Sequence, residues 1–399
     1  MSGRFQAVAL LAVAPGGLWA QLAMQSGAAR IHGTDLAVLE AGEQRKDLPC
    51  GVTPDKAFLG FDMRFHAGFD VAVPLRELSG NENLLTILFR VTPDDNKDAV
   101  RYFTQKIRVP SIEEEAKGDA YFEGGFDMGE GKYHVDWLMR DRAERVCAHS
   151  WEVDASLPGK DRQISVVVPP NSVEQMHPDQ FQPESPVQRE TADPLHVKIV
   201  MNFAPQKATA STLRATDLAA LVSILRTLSR DPRIGRFSLV AFNMQDQKVF
   251  HRQDAVERID FPMLGKSLNN INIGTVDLKQ LVVKHSATQF LTKLMGDECM
   301  GKDKTDAVIF AGPKAMLDQN VPDEELKKIE LGYPLFYMNY ILNPHATPWR
   351  DAIGNAVKSL KGVEYTITRP RDLWFSVNEM VGRIVKFRNG KHVASVSTK

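Results

Sequence analysis

HVKIVMNFAPQ, residues 196–206, decides how the second half of the chain is read. Val197, Ile199, Val200 and Met201 make a nearly continuous apolar run, the pattern of a strand buried on both faces. A polar loop follows, and residues 216–231 then place Leu218, Leu221, Ile224, Leu225 and Leu228 on one helical stripe. Strand, loop and helix in that order form the repeating unit of a parallel sheet, whose neighbouring strands need a crossover long enough to hold a helix.

Downstream the alternation continues. FSLVAF (237–242), DAVIFA (306–311) and PLFYMNY (334–340) are further buried strands, with 247–251 expected to pair beside the first of them. Residues 276–294 predict a long helix and 323–329 a short one, and 348–360, 363–367 and 371–385 predict helix, strand and helix. The expected architecture for 195–386 is a doubly wound, Rossmann-like α/β domain with a mostly parallel sheet. The end of the chain, with Arg388, Lys391 and Lys399, reads as a flexible basic tail over 387–399.

Upstream the period changes to two. Residues 69–75, 84–91, 102–109, 121–128, 133–139, 146–153 and 163–168 read as short strands separated by Gly, Pro, Asp and Asn turns. They predict an antiparallel β-sandwich over 48–169, which makes the whole an α+β multidomain chain. The turn Met128-Gly129-Glu130-Gly131-Lys132 leads into a strand with Tyr133, Val135, Trp137 and Met139 on one face. Trp137 and Trp151 read as core in preference to a ligand platform, and His134 and His149 are expected to face each other across the hairpin. Residues 170–194, rich in proline and glutamine without periodicity, read as a solvated connector. A helix is expected over 34–43.

The first twenty residues read as a signal peptide: Arg4, an apolar core at 7–14, a Pro-Gly-Gly break at 15–17 and a cleavage site after Ala20, with 26–28 as a later alternative. The competing reading is a buried N-terminal helix. Nothing later is long and apolar enough to span a bilayer. Export permits disulfides, and among three cysteines Cys50 and Cys147 fall in the same half, each beside a strand-like segment. They are paired as a hypothesis that leaves Cys299 over; the alternative is three separate buried thiols. Lys plus Arg, 49, nearly balances Asp plus Glu, 50, so no net field attracts nucleic acid.

GEGKYHVDWLMRDRAERVC (129–147), GTVDLKQL (274–281), DAVIFAGP (306–313), PWRDAIG (348–354) and TRPRDLW (368–374) together resemble a group of exported acidobacterial proteins. The C-terminal halves of that group are similar to von Willebrand factor type A domains. The Gly-x-Tyr-x-Val-x-Trp run resembles late strands of bacterial immunoglobulin-like domains. The resemblance implies a binding or assembly role. Type A domains hold a divalent ion with an Asp-x-Ser-x-Ser loop after the first strand, a distant threonine and a further aspartate. Here Asn202, Ala204 and Gln206 occupy the loop, Gly274-Thr275 keeps the threonine setting, and Gly312-Pro313 stands where the aspartate would be.

One amide and one hydroxyl do not repay the dehydration of a hard cation, so no metal and no cofactor are expected. Asn202, Gln206 and Thr275 become a candidate hydrogen-bonding face for a protein partner. Leu264-Gly265-Lys266-Ser267 imitates the end of a phosphate loop, but Asp260 stands where its first glycine belongs, and no hydrolase or zinc-protease motif is present. The leading expectation is an exported, non-enzymatic interaction module. The alternative is an envelope-polymer hydrolase with an interdomain site drawing on Asp306, His345 or Asp351.

Overall fold

The computed structural model describes residues 22–24, 33–41, 45–176, 180–206, 213–269, 285–301, 304–342, 345 and 349–396. The expected signal segment and Thr275 lie outside them. Two compact units are present. The first comprises Met1–Phe58, Arg64–Leu157 and Val166–Met176; the second comprises Leu59–Met63, Pro158–Ser165 and His177–Lys399.

The first unit carries strands β1 (Leu22–Met24), β2 (Gly51–Pro54), β3 (Phe58–Leu59), β4 (Phe65–Pro74), β5 (Asn83–Pro93), β6 (Arg101–Val109), β7 (Asp119–Met128), β8 (Gly131–Arg140), β9 (Val146–Ala155) and β10 (Val173–Gln175), with helix α1 (Gly33–Ala41). Two antiparallel sheets result, ordered β1-β6-β5-β8-β9 and β10-β7-β4-β2. Alternation assigns their faces. In β6, Phe103, Gln105, Ile107 and Val109 are buried while Arg101, Lys106 and Arg108 are exposed. The sheets meet through aromatic rings: Phe69 of β4 lies 5.3 Å from Phe89, 5.5 Å from Trp137 and 6.2 Å from Trp151, all in the facing sheet. Such edge-on contacts add to the area the rings bury. Gly124 makes room for them, because a Cβ there would sit 2.4 Å from the tip of the Phe69 ring.

The turn before β8 is tied by Tyr133, whose hydroxyl donates to the Gly129 carbonyl at 2.9 Å and whose phenol burial pushes up to about 12. Register places His134 opposite Glu152 and Trp137 opposite His149. The two histidines therefore occupy opposite faces of the hairpin and do not meet, since an odd offset along a strand reverses direction. The outer edge of β9 is covered by the segment after α1: Ala148 N–H donates to Arg45 O at 2.7 Å, Leu48 N–H donates to Val146 O at 3.1 Å, and a disulfide joins Cys50 to Cys147 across 97 positions. Cys299 is free and buried.

The second unit holds one mixed sheet, β13-β12-β11-β14-β15-β16, made of β11 (Leu195–Asn202), β12 (Ile234–Asn243), β13 (Lys248–Val256), β14 (Ala307–Gly312), β15 (Leu335–Tyr340) and β16 (Val363–Ile367). Every neighbouring pair is parallel except β12 and β13. Helices α2 (Ala215–Arg230), α3 (Phe261–Asn269), α4 (Ser286–Cys299), α5 (Asp323–Leu326), α6 (Ala352–Ser359) and α7 (Pro370–Val396) connect or flank the strands. One core joins Leu291 and Met295 of α4 and Ile353 and Val357 of α6 to Val200, Val240, Phe310 and Tyr337, while α2 and α7 contact each other outside that cluster. The sheet is thus covered on both faces. Lys198 is a buried exception on β11, 2% exposed, and it is met at 3.5 Å by Glu298, also 2% exposed, which Arg252 engages from β13.

Several local expectations change. Residues 163–168 form turns, not a strand, their segment being closed by Asp161 N–H to Pro158 O and Ile164 N–H to Asp161 O. The expected connector carries β10 in the first unit, and its later part belongs to the second: Glu184 binds both Arg226 and Arg230, and the Phe181 ring would touch a Cβ at Gly265 at 2.7 Å. Arg230 also donates to Asp62 O at 3.0 Å, and Arg371 pairs with Asp161 at 2.6 Å. Helix α7 runs eleven positions past the expected 385, so 387–396 is helical and not a free tail.

Replacing Phe69 with alanine removes the ring on which three others converge. Urea unfolding of the F69A chain should show a loss of about 3–5 kcal/mol. Thiol titration without reductant should find one reactive group, Cys299, and only after denaturation.

Candidate functional site

The order of the six strands reverses direction between β11 and β14, so the crevice outside their carboxyl ends is where an open α/β sheet ordinarily receives a ligand. Asn202 ends β11 at this point. It is 1% exposed, and its Oδ1 accepts from Met244 N–H at 3.0 Å. Gly312, at the end of β14, has φ +138°, and a Cβ there would lie 2.8 Å from Asn202 Cβ. Glycine is thus required for the two strand ends to close together.

Gln206 is also 1% exposed, and its Oε1 accepts from Leu342 N–H at 3.2 Å, tying the loop after β11 to the end of β15. The structure brings Asn202 and Gln206 to one edge but turns both inward onto the chain's own backbone. They brace the edge and offer no solvent-facing hydrogen bonds.

Two further asparagines repeat the device. Asn243 ends β12, donates to Phe203 O at 2.9 Å and accepts from Gln245 N–H at 2.8 Å. Asn339, in β15, donates to Glu364. The Nδ2 of Asn202, the Oδ1 of Asn339 and the Tyr340 hydroxyl are buried with no hydrogen-bond partner among the described residues. Burial, with Asp217 nearby, raises the Tyr340 phenol. The signal for this row was present: an asparagine at or near the end of each of three otherwise apolar strand runs.

Asp351 caps α6, its Oδ1 accepting from Ala315 and Ile353 N–H groups at 3.2 Å each. Burial raises its pKa, and Glu364 adds to the effect. His345 lies in the loop between β15 and α6, at this same edge. Asp306 lies at the other end of the sheet, before β14, where its carboxylate accepts from His196 N–H at 2.8 Å. A strand's length separates it from Asp351, so the three residues do not share a site.

Leu264 to Ser267 falls inside α3, which removes any phosphate-loop geometry. Ser267 does meet His251, its Oγ 2.9 Å from Nδ1. The Gln253 Oε1 accepts from Asp260 N–H at 3.0 Å, which turns the amide Nε2 toward His251 Nε2 at 2.7 Å. Nδ1 therefore carries the proton and donates to the serine, whose own hydroxyl donates to Met263 O at 2.9 Å. The serine is an acceptor here and is not activated as a nucleophile.

No protein-family model and no curated protein matches the sequence. Among solved structures, an aerotolerance-related membrane protein from Bacteroides fragilis is similar at 10% identity and a TM-score of 0.31, covering 47% of this chain and 99% of that one. The PilB minor pilin of Streptococcus sanguinis is similar at 7% identity and a TM-score of 0.30, covering 74% and 87%. A Bacteroides uniformis β-glucuronidase is similar at 8% identity and a TM-score of 0.19, covering 78% and 38%.

Gln206→Ala removes the acceptor of the half-buried Leu342 N–H, and urea titration should report a loss of about 1 kcal/mol. Two histidines should give opposite pH slopes. Burial lowers the pKa of His251 against the pull of Asp260, so its contribution is present above the unfolded value and is lost as pH falls through the folded one. At His134 burial also opposes charge, but Glu152 and Asp136 outweigh it and raise the pKa; its contribution is present below the unfolded value and lost as pH rises through the folded one. Urea midpoints at about pH 5.5, 6.5 and 7.5 should lose part of their acid-side fall in His251→Gln and part of their alkaline-side fall in His134→Gln.

Proposed function

We propose that the chain is an exported, non-enzymatic interaction or assembly protein whose second unit is a von Willebrand type A-like domain that has lost metal-dependent adhesion. The observation that carries this reading is the inward engagement of Asn202 and Gln206: the two side chains that replace metal ligands in the motif hold together the ends of β11, β12 and β15. The reversal of strand order at β11 and β14 and the helices on both faces support the type A likeness. The Cys50–Cys147 disulfide supports an oxidising compartment. Among the described residues, no helix is long and apolar enough to cross a membrane.

Calorimetric titration with magnesium, manganese and calcium should show no saturable binding, and cross-linking capture from envelope extract should recover the same protein partner with and without EDTA. Micromolar ion binding abolished by Thr275→Ala overturns the loss of the metal site. Turnover of an envelope polymer with no partner recovered overturns the non-enzymatic reading.

A further inference from the structure

A cluster of oxygens in the second unit lies between the start of α6 and the strands β15 and β16. Tyr337 and Asn339 stand two apart on β15 and so share a face, and the parallel register sets Tyr337 beside Glu364 of β16. Asn339 Nδ2 donates to Glu364 Oε1. Asp351 arrives from the cap of α6, and Gly354 leaves the two carboxylates room to converge: a Cβ there would stand 2.9 Å from Asp351 Oδ2 and 3.5 Å from Glu364 Oε2. Glu364 is exposed and Asp351 half-buried, so the cluster meets solvent on one side, with Asn339 and Tyr337, both 0% exposed, as its floor.

Three of these oxygens are uncommitted. Asp351 gives its Oδ1 to the N–H groups of Ala315 and Ile353, while its Oδ2 is buried without a hydrogen-bond partner among the described residues. Asn339 Oδ1, on the same carbon as the nitrogen that engages Glu364, is also buried without one. Glu364 spends Oε1 on Asn339 and keeps Oε2. Among the described residues no ion pair engages either carboxylate; Arg350, next to Asp351, lies over the Trp349 ring, 4.1 Å from its centroid. Burial raises the Asp351 carboxyl and the Glu364 charge raises it further, with partial relief from the Tyr337 hydroxyl and the Gly354 N–H, neither of which bonds Oδ2. Two acids side by side with a buried amide oxygen are the surroundings that favour a cation.

We infer that this cluster seats a primary ammonium group, presented by a lysine side chain of a protein partner. An ammonium carries three N–H donors and no acceptor, the complement of one amide oxygen and two carboxylate oxygens. A hard divalent ion takes six or more oxygens, more than stand here, and a guanidinium spreads its donors over a plane. Trp349, two residues before Asp351, is 77% exposed, an aromatic of the kind that protein interfaces bury as an anchor. The inference rests on the reading of the chain as an interaction protein and names the chemical group that one of its surfaces holds.

The test titrates the full chain calorimetrically with a capped glycine–lysine–glycine peptide. Binding should be saturable, and about tenfold or more weaker for the same peptide acetylated at Nε and for its arginine counterpart. That comparison uses the parent chain alone. Glu364→Gln changes an exposed position and keeps an oxygen for the Asn339 amide, so it should melt as the parent does and bind the lysine peptide about tenfold more weakly. Absence of saturable binding, equal affinity for the acetylated or arginine peptide, or equal affinity of parent and variant overturns the inference. Butylammonium binding more tightly than the peptide assigns the seat to a free amine and overturns the protein source. Calcium displacing the peptide at equal concentration marks a metal site and overturns the ammonium. Recovery of a partner from envelope extract beside any of these failures leaves the interaction reading standing without this seat.

Discussion

A strand with parallel neighbours on both sides has both faces covered, and β11 is the one on which the second unit is built. The rest of the unit follows from that constraint. The apolar side chains of β11 are shared between two helical layers, and the strand's buried lysine, Lys198, is held by Glu298 from a helix. A buried ion pair of this kind is a weak source of net stability, yet losing either partner leaves an uncompensated charge. It therefore fixes which part of α4 lies over β11, since another register would strand the lysine among apolar groups.

The same constraint explains the polar row at the carboxyl edge. Where β11, β12 and β15 run out, their backbones must be satisfied in a place water reaches poorly. Asn202, Asn243 and Gln206 supply acceptors and donors for that purpose. In the first unit the corresponding organiser is Phe69, with the hairpin anchored by Tyr133 and one sheet edge closed covalently.

Legibility followed sequence distance. The buried run of β11, the stripe of α2 and the turn before β8 are local patterns, and each placed its element to within a few residues. The orientation of Asn202 and Gln206 was not legible, because their partners lie 42 and 136 positions away and nothing in a five-residue loop says whether an amide points in or out. The short strands β1 and β10 were missed for a related reason: three residues carry too little periodicity, and only pairing with β6 and β7 makes them strands. The coverage of β9 by residues 45–48 likewise depends on backbone bonds that ignore side-chain identity. The asparagine row was visible in principle, as one polar residue closing each of three apolar runs.

The second unit is not a suffix of the chain. It recruits Leu59–Met63 and Pro158–Ser165 from within the first, and those loans are structural: Arg230 leans on the Asp62 carbonyl and Arg371 on the Asp161 carboxylate. A gene encoding such a molecule has no single junction at which one unit can be exchanged for a homologue.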